Sequence, residues 1–218
     1  MSRPEKSQRR HLPKLSPRPE DLRVLTVEDV LEDEPIDDAL ISAIDFSGQK
    51  IRGLNAGASL FEGVSFANCE ILGPRLRDAR LVKCDLSNVK WRGFQAARVE
   101  FIDCRLTGMS AMECRWQDVL IENCDGRYAQ LNHGRIQRSE VMGTSFAEAD
   151  FRGTDFEGTI FERANLSRAD LTNSKLKGTD LRGAEIEGLL IRAEDVYGAI
   201  VSAAQAMDLA RLLGLQIR

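Results

Sequence analysis

From Phe46 to Ile191 every fifth residue is apolar: of the 30 positions in that register, only Gly126 lacks an apolar side chain. The run Phe151, Phe156, Phe161, Leu166, Leu171, Leu176, Leu181 and Ile186 shows the pattern at its plainest. An α-helix repeats every 3.6 residues and a strand every 2, so neither accounts for it. A second position, two residues before each apolar centre, is small. It holds Thr144, Ala149, Thr154, Thr159, Ala164 and Ala169 in the second half of the chain, and Val64, Cys69, Cys84, Val89, Cys104, Cys114, Val119 and Cys124 in the first. All five cysteines occupy this slot. The other three positions are mostly polar or glycine.

Five residues that bury one large and one small side chain form one side of a square coil, and four sides close a turn of 20 residues. A single turn cannot bury its own inward face, so turns must stack as a solenoid. Backbone pairing between turns gives a rise of ~4.8 Å, hence about seven turns and a rod of roughly 35 Å. With this register, Trp91 stacks on Ala111 and Trp116 on Ala96, so each large ring has a small neighbour in its column.

The ends of a solenoid need caps, because the terminal turns expose an apolar cross-section. Thr26, followed by Glu28, Asp29, Val30 and Leu31, predicts a short helix with acids at its positive end. Residues 26–45 are expected to cover the first turn. At the other end, Ser202 and Gln205 form a capping box. Apolar residues at helical spacing then predict a helix over about 203–213, with Gly214 in the C′ position and a short extended Leu215–Ile217. The resulting division is a flexible basic tail at 1–25, the solenoid with its N-terminal cap at 26–201, and the helix with its tail at 202–218. Leu209, Leu212 and Leu213 are the expected contacts of a homodimer through this helix.

Charge alters the picture at the ends only. Residues 1–23 carry seven Lys/Arg and three Asp/Glu, residues 24–45 carry eight acids and no base, and residues 46–191 carry 20 of each. A Pro/Arg/Ser-rich start of this kind reads as a disordered terminus. No apolar run reaches the length of a membrane span, and the start lacks the apolar core of a secretion signal, so a cytoplasmic location is expected.

Catalytic or metal chemistry finds no support in the spacing. The cysteines are never closer than ten residues, unlike the C-x₂₋₄-C pairs of zinc sites. Cys84, Cys104 and Cys124 stack at intervals of 20, where parallel side chains keep Cβ atoms about 4.8 Å apart, too far for a disulfide. They are expected to be free thiols buried as small hydrophobes. His11 and His133 have no partner at a defensible spacing. No phosphate loop, nucleophile elbow or nucleotide fingerprint is present. The expectation is a protein that is not an enzyme and needs no cofactor.

The runs Ala164-Asn165-Leu166 and Ala169-Asp170-Leu171 fit the motif A-(D/N)-L-x-x, and the register resembles that of the pentapeptide-repeat proteins over about 150 residues. That resemblance implies an all-β solenoid, a right-handed quadrilateral β-helix, here with a C-terminal α-helical cap. In layout the chain also resembles the quinolone- and topoisomerase-poison-resistance members. Those look like duplex DNA and bind DNA gyrase as dimers, which implies a type II topoisomerase as partner. A DNA mimic should be strongly acidic, whereas the solenoid here is neutral by count.

Function is therefore expected in surface recognition of a protein, with no direct binding of nucleic acid or membrane. Sorted by side, the column of centres 56 to 176 carries eight bases and four acids, and the column 61 to 181 carries four bases and seven acids. The latter side also has Leu60, Val82, Ile102, Leu120, Met142 and Ile160 beside its centres, at positions expected to face outward. With Glu100, Asp103 and Glu122 they form the predicted partner surface, since an exposed apolar stripe marks an interaction site.

Overall fold

The computed structural model describes residues 10–16, 19–31, 34–212 and 214. The five-residue register becomes a parallel coil. Every paired strand is parallel, and every pairing within the coil from Ile36 onward joins residues 20 apart, as in Ala96↔Trp116, Phe101↔Ile121 and Ile71↔Trp91. Outside the formal strands the same ladder continues, for example from the Leu171 amide to the Leu190 carbonyl at 2.8 Å. Sheet pairing starts slightly earlier than predicted, with Arg23–Val24 on Ala39–Leu40. The centres form one continuous buried core that includes all five cysteines.

The local chemistry explains the motif. The Asp or Asn before a centre accepts from the backbone N–H two residues on, as Asp170 does from Thr172 at 3.0 Å and Asn165 from Ser167 at 2.8 Å. This Asx turn sets up each corner. The residue two after a centre is left-handed, with φ +57° at Arg168 and +68° at Gly153. The small slot is more than a packing site. Its hydroxyls donate to the carbonyl of a centre one turn back: Thr154 to Leu131 at 2.9 Å, Thr159 to Ile136 at 2.7 Å and Ser174 to Phe151 at 2.9 Å. The Cys69 thiol does the same to Phe46 at 2.8 Å. Buried polar groups are thereby satisfied.

The exceptions to the register have physical reasons. At Gly126 a Cβ would collide with the Phe146 ring, which lies one turn on and fills the empty centre. Where the centre is alanine, the slot two before it is large: Leu54 precedes Ala56, Phe94 precedes Ala96 and Met109 precedes Ala111, all buried. Volume is conserved within one side as well as between turns.

The cysteines are free and buried. Burial pushes the Cys114 thiol up to about 12, so almost no thiolate exists at neutral pH. A thiol reagent should label the native protein slowly and all five cysteines after denaturant; rapid native labelling of several would contradict the inward slot.

At the N-terminal end the helix Val27–Leu31 is capped reciprocally by Thr26 and Asp29. At the other end the helix Ala203–Leu212 begins with the capping box, Ser202 N–H to Gln205 Oε1 at 2.9 Å and Gln205 N–H to Ser202 Oγ at 3.2 Å. Gln205 has a second use that the sequence did not disclose. Its Nε2 donates to the carbonyls of Leu181 and Ala184, at 2.6 and 2.9 Å, closing the open end of the coil. The expected extended Leu215–Ile217 lies outside the described residues.

Candidate functional site: a two-file face and its N-terminal strap

The side built on Phe61, Leu81, Phe101, Ile121, Val141 and Phe161 presents two files, one on each flank of the buried centres. The first file reads Leu60, Arg80, Glu100, Leu120, Glu140 and Ile160 in successive turns. The second reads Glu62, Val82, Ile102, Glu122, Met142 and Glu162. The six apolar residues predicted as one stripe are thus shared between two files and interleaved with charge.

The first file is closed at its middle, where Glu100 and Leu120 are buried. Residues 10–16, read from the sequence as part of a flexible tail, lie along its edge. Arg10 donates from Nη2 to Glu100 at 2.9 Å and from Nε to Glu140 at 3.2 Å, bridging carboxylates two turns apart. Leu120 sits between them in register and is only 6% exposed. His11 Nδ1 lies 3.2 Å from Asp118, and the Lys14 amide donates to Asp78 at 3.0 Å. Two turns separate Asp78 from Asp118, about 9.6 Å, and the three residues from Lys14 to His11 reach about 10 Å when extended. A straight strap therefore fits the pitch of the rod.

Asp78 and Asp118 under the strap are held ionised. Hydrogen bonds from Arg98, both at 2.6 Å, keep the Asp78 carboxyl below the usual carboxylate range. At Asp118 burial acts upward, but the bonds from Arg138 and His11 outweigh it and the carboxyl is again low. Glu100 is buried and takes a further bond from Arg80 at 2.7 Å.

Two corrections follow for the predicted surface. Leu120, expected to face outward, is buried between the two carboxylates that Arg10 bridges, and Glu100 is a buried anchor of the strap. Leu60 and Ile160 flank the strapped stretch, half-buried. Val82, Ile102, Met142 and Glu122 are half-buried in the open second file, beside exposed Glu62, Glu162 and Asp103. The predicted dimer contacts also change. Leu209 is 6% exposed and joins the core, because the helix lays this residue on the last coil. The Leu212 side chain and Leu213 lie outside the described residues. Exposed apolar side chains at that end are Leu190, Tyr197, Ile200 and Met207.

Among the described residues no group of three His, Cys, Asp or Glu could hold a metal ion, and no helix is long and apolar enough to cross a membrane. Many remaining acids are structural. Asp125, Asp150 and Asp180 each take a fork of two bonds from the arginine two residues on.

The coil, its flat sides and its capped ends define a β-solenoid whose surface, not its interior, is available for recognition. Residues 144–183 match the family described as Pentapeptide repeats, in eight copies. The coil is a parallel β-solenoid of about seven turns with a small C-terminal helix. No curated protein matches the sequence. Among solved structures, full-length QnrB1, a plasmid-mediated fluoroquinolone resistance protein, aligns at 22% identity over 88% of this chain and 95% of its own, with a TM-score of 0.38. HetL, a pentapeptide repeat protein involved in heterocyst differentiation regulation from the cyanobacterium Nostoc sp. strain PCC 7120, aligns at 16% identity over 77% and 86%, with a TM-score of 0.34.

Proposed function

We propose that the protein is a non-catalytic rod that binds a protein partner through the open second file. The observation that carries this reading is the adjacent pair Val82 and Ile102, with Met142 two turns on, half-exposed among Glu62, Glu122 and Glu162 on a rigid ladder. Apolar side chains ringed by charge are the anatomy of a recognition surface. The strap bonds through Arg10 to Glu100 and Glu140 of the other file.

Replacing Val82 and Ile102 together by Lys puts each new ammonium one turn from a glutamate, Glu62 or Glu122, which offsets the repulsion between the two, so the melting temperature should stay nearly unchanged, within the ~0.5 kcal/mol usual for a surface change. The double replacement should abolish partner binding, while Arg92→Glu on another side should not. The opposite pattern would mean that the wrong face has been chosen. The resemblance in layout makes DNA gyrase the first partner to test. Relief of quinolone inhibition in a supercoiling assay by the wild type, but not by the Lys variant, would identify the partner as a topoisomerase. No effect of the wild type would remove that partner and leave the scaffold.

The same reading includes a homodimer through the C-terminal end, for which exposed Tyr197, Ile200 and Met207 are the contacts to test. Met207→Glu should halve the mass in light scattering without changing the melting temperature. A wild-type chain that is monomeric at high micromolar concentration would rule the dimer out.

A further inference from the structure

Several stacked charges on this rod alternate, a base sitting one turn from an acid. Lys90 meets Glu70 at 3.0 Å, Arg98 meets Asp78 at 2.6 Å, Arg138 meets Asp118 at 3.1 Å and Arg168 meets Glu148 at 2.9 Å, each pair 20 residues apart. One face lacks this alternation over four turns. Beside the centres Leu76, Ala96, Trp116 and Ile136, one file reads Arg75, Gln95, Arg115 and Arg135 in successive turns. The other reads Arg77, Ala97, Gln117 and Gln137. Four turns thus present no acid in either file.

Arg115 and Arg135 are direct register partners, an arrangement of like charges that destabilises a sheet. Arg75 and Arg115 form no ion pair among the described residues. Arg135 has only a distant carboxylate, Asp155 at 3.8 Å, which also accepts from Gln137. Arg77 lies 3.5 Å from Asp78, a group already held by Arg98. The small Ala96 and Ala97 make a dent between the larger neighbours, and the face forms a groove of about 410 Å³.

We infer that this groove binds an acidic segment of a polypeptide. Unpaired guanidinium forks match carboxylates in two-point geometry. The amides of Gln95 and Gln117 between them suit the carbonyls of an extended backbone. Three turn spacings make the groove about 14 Å long, the span of roughly four extended residues. A single nucleic acid strand would need exposed aromatic rings on which bases stack, and this face exposes none.

The test uses the full chain and a fluorescent hexaglutamate peptide, followed by anisotropy. Binding is expected at low salt and should weaken as salt rises. Removing one charged partner of such a contact should weaken it about tenfold, so Arg75→Ala with Arg115→Ala should nearly abolish it. Ala97→Glu, which places a carboxylate in the dent, should do the same by repulsion, and melting curves should show both variants folded. Lys175→Ala with Lys177→Ala, two turns beyond, should leave binding unchanged. The paired Lys variant at Val82 and Ile102 should also bind the peptide normally, so this site stands or falls apart from the open file. Failure of the peptide to bind, equal binding by the double Ala variant, or tighter binding of an oligothymidylate would each overturn the inference.

Discussion

Trp116→Ala should destabilise the protein by ~3–5 kcal/mol, the usual loss for an aromatic-to-alanine change in a core. Trp116 is almost fully buried, with ring centroids 5.5 Å from Phe94 and 5.9 Å from Phe101. The column offers no relief, because its neighbour one turn back is Ala96. Trp116→Phe should cost much less, since the indole N–H has no hydrogen-bond partner among the described residues to lose. Chemical denaturation followed by far-ultraviolet circular dichroism gives both values. A loss below about 1 kcal/mol for the alanine variant would mean that Trp116 is not a core centre.

Phe94→Ala should be comparably damaging, although Phe94 occupies the slot that is small elsewhere. Its ring packs edge-on against Trp91 at 4.6 Å and against Trp116 at 5.5 Å. With alanine at both 94 and 96, that side of the coil would contribute almost no volume, so a loss of ~3–5 kcal/mol is expected. Moving the bulk back to the centre, as Phe94→Ala with Ala96→Phe, should recover part of it. Phe94 and Trp116 touch, so their alanine variants should combine non-additively. Strict additivity, or no recovery in the swapped variant, would show that large and small do not trade places within one side.

The fold was legible because five-residue spacing has one structural solution, and that spacing survives from Phe46 to Ile191. The cysteine slot, the pairing of Trp116 with Ala96 and the Ser202–Gln205 cap could all be read from position alone. Phe94 could have been read too, since each alanine centre follows a large residue in the slot. What position could not give is contact between segments far apart in sequence. Arg10 meets Glu100 and Glu140 because a loose-looking tail matches the pitch of the rod, and no periodicity announces that. Leu120 looked outward for the same reason: its register is that of an outward residue, yet it lies buried between the two carboxylates that the strap bridges. Leu209 had the right helical phase for either face, and the last coil decided it.

The strap also changes how the rod should come apart. In a stacked coil each turn touches only its neighbours, so such proteins can fray from an end, one layer at a time. Arg10 ties Glu100 to Glu140, with a whole turn between them, and the same short segment reaches back to Asp78. These links couple layers that otherwise have no common contact. The central turns should therefore unzip together, as one cooperative unit, while the unstrapped turns beyond remain free to open singly.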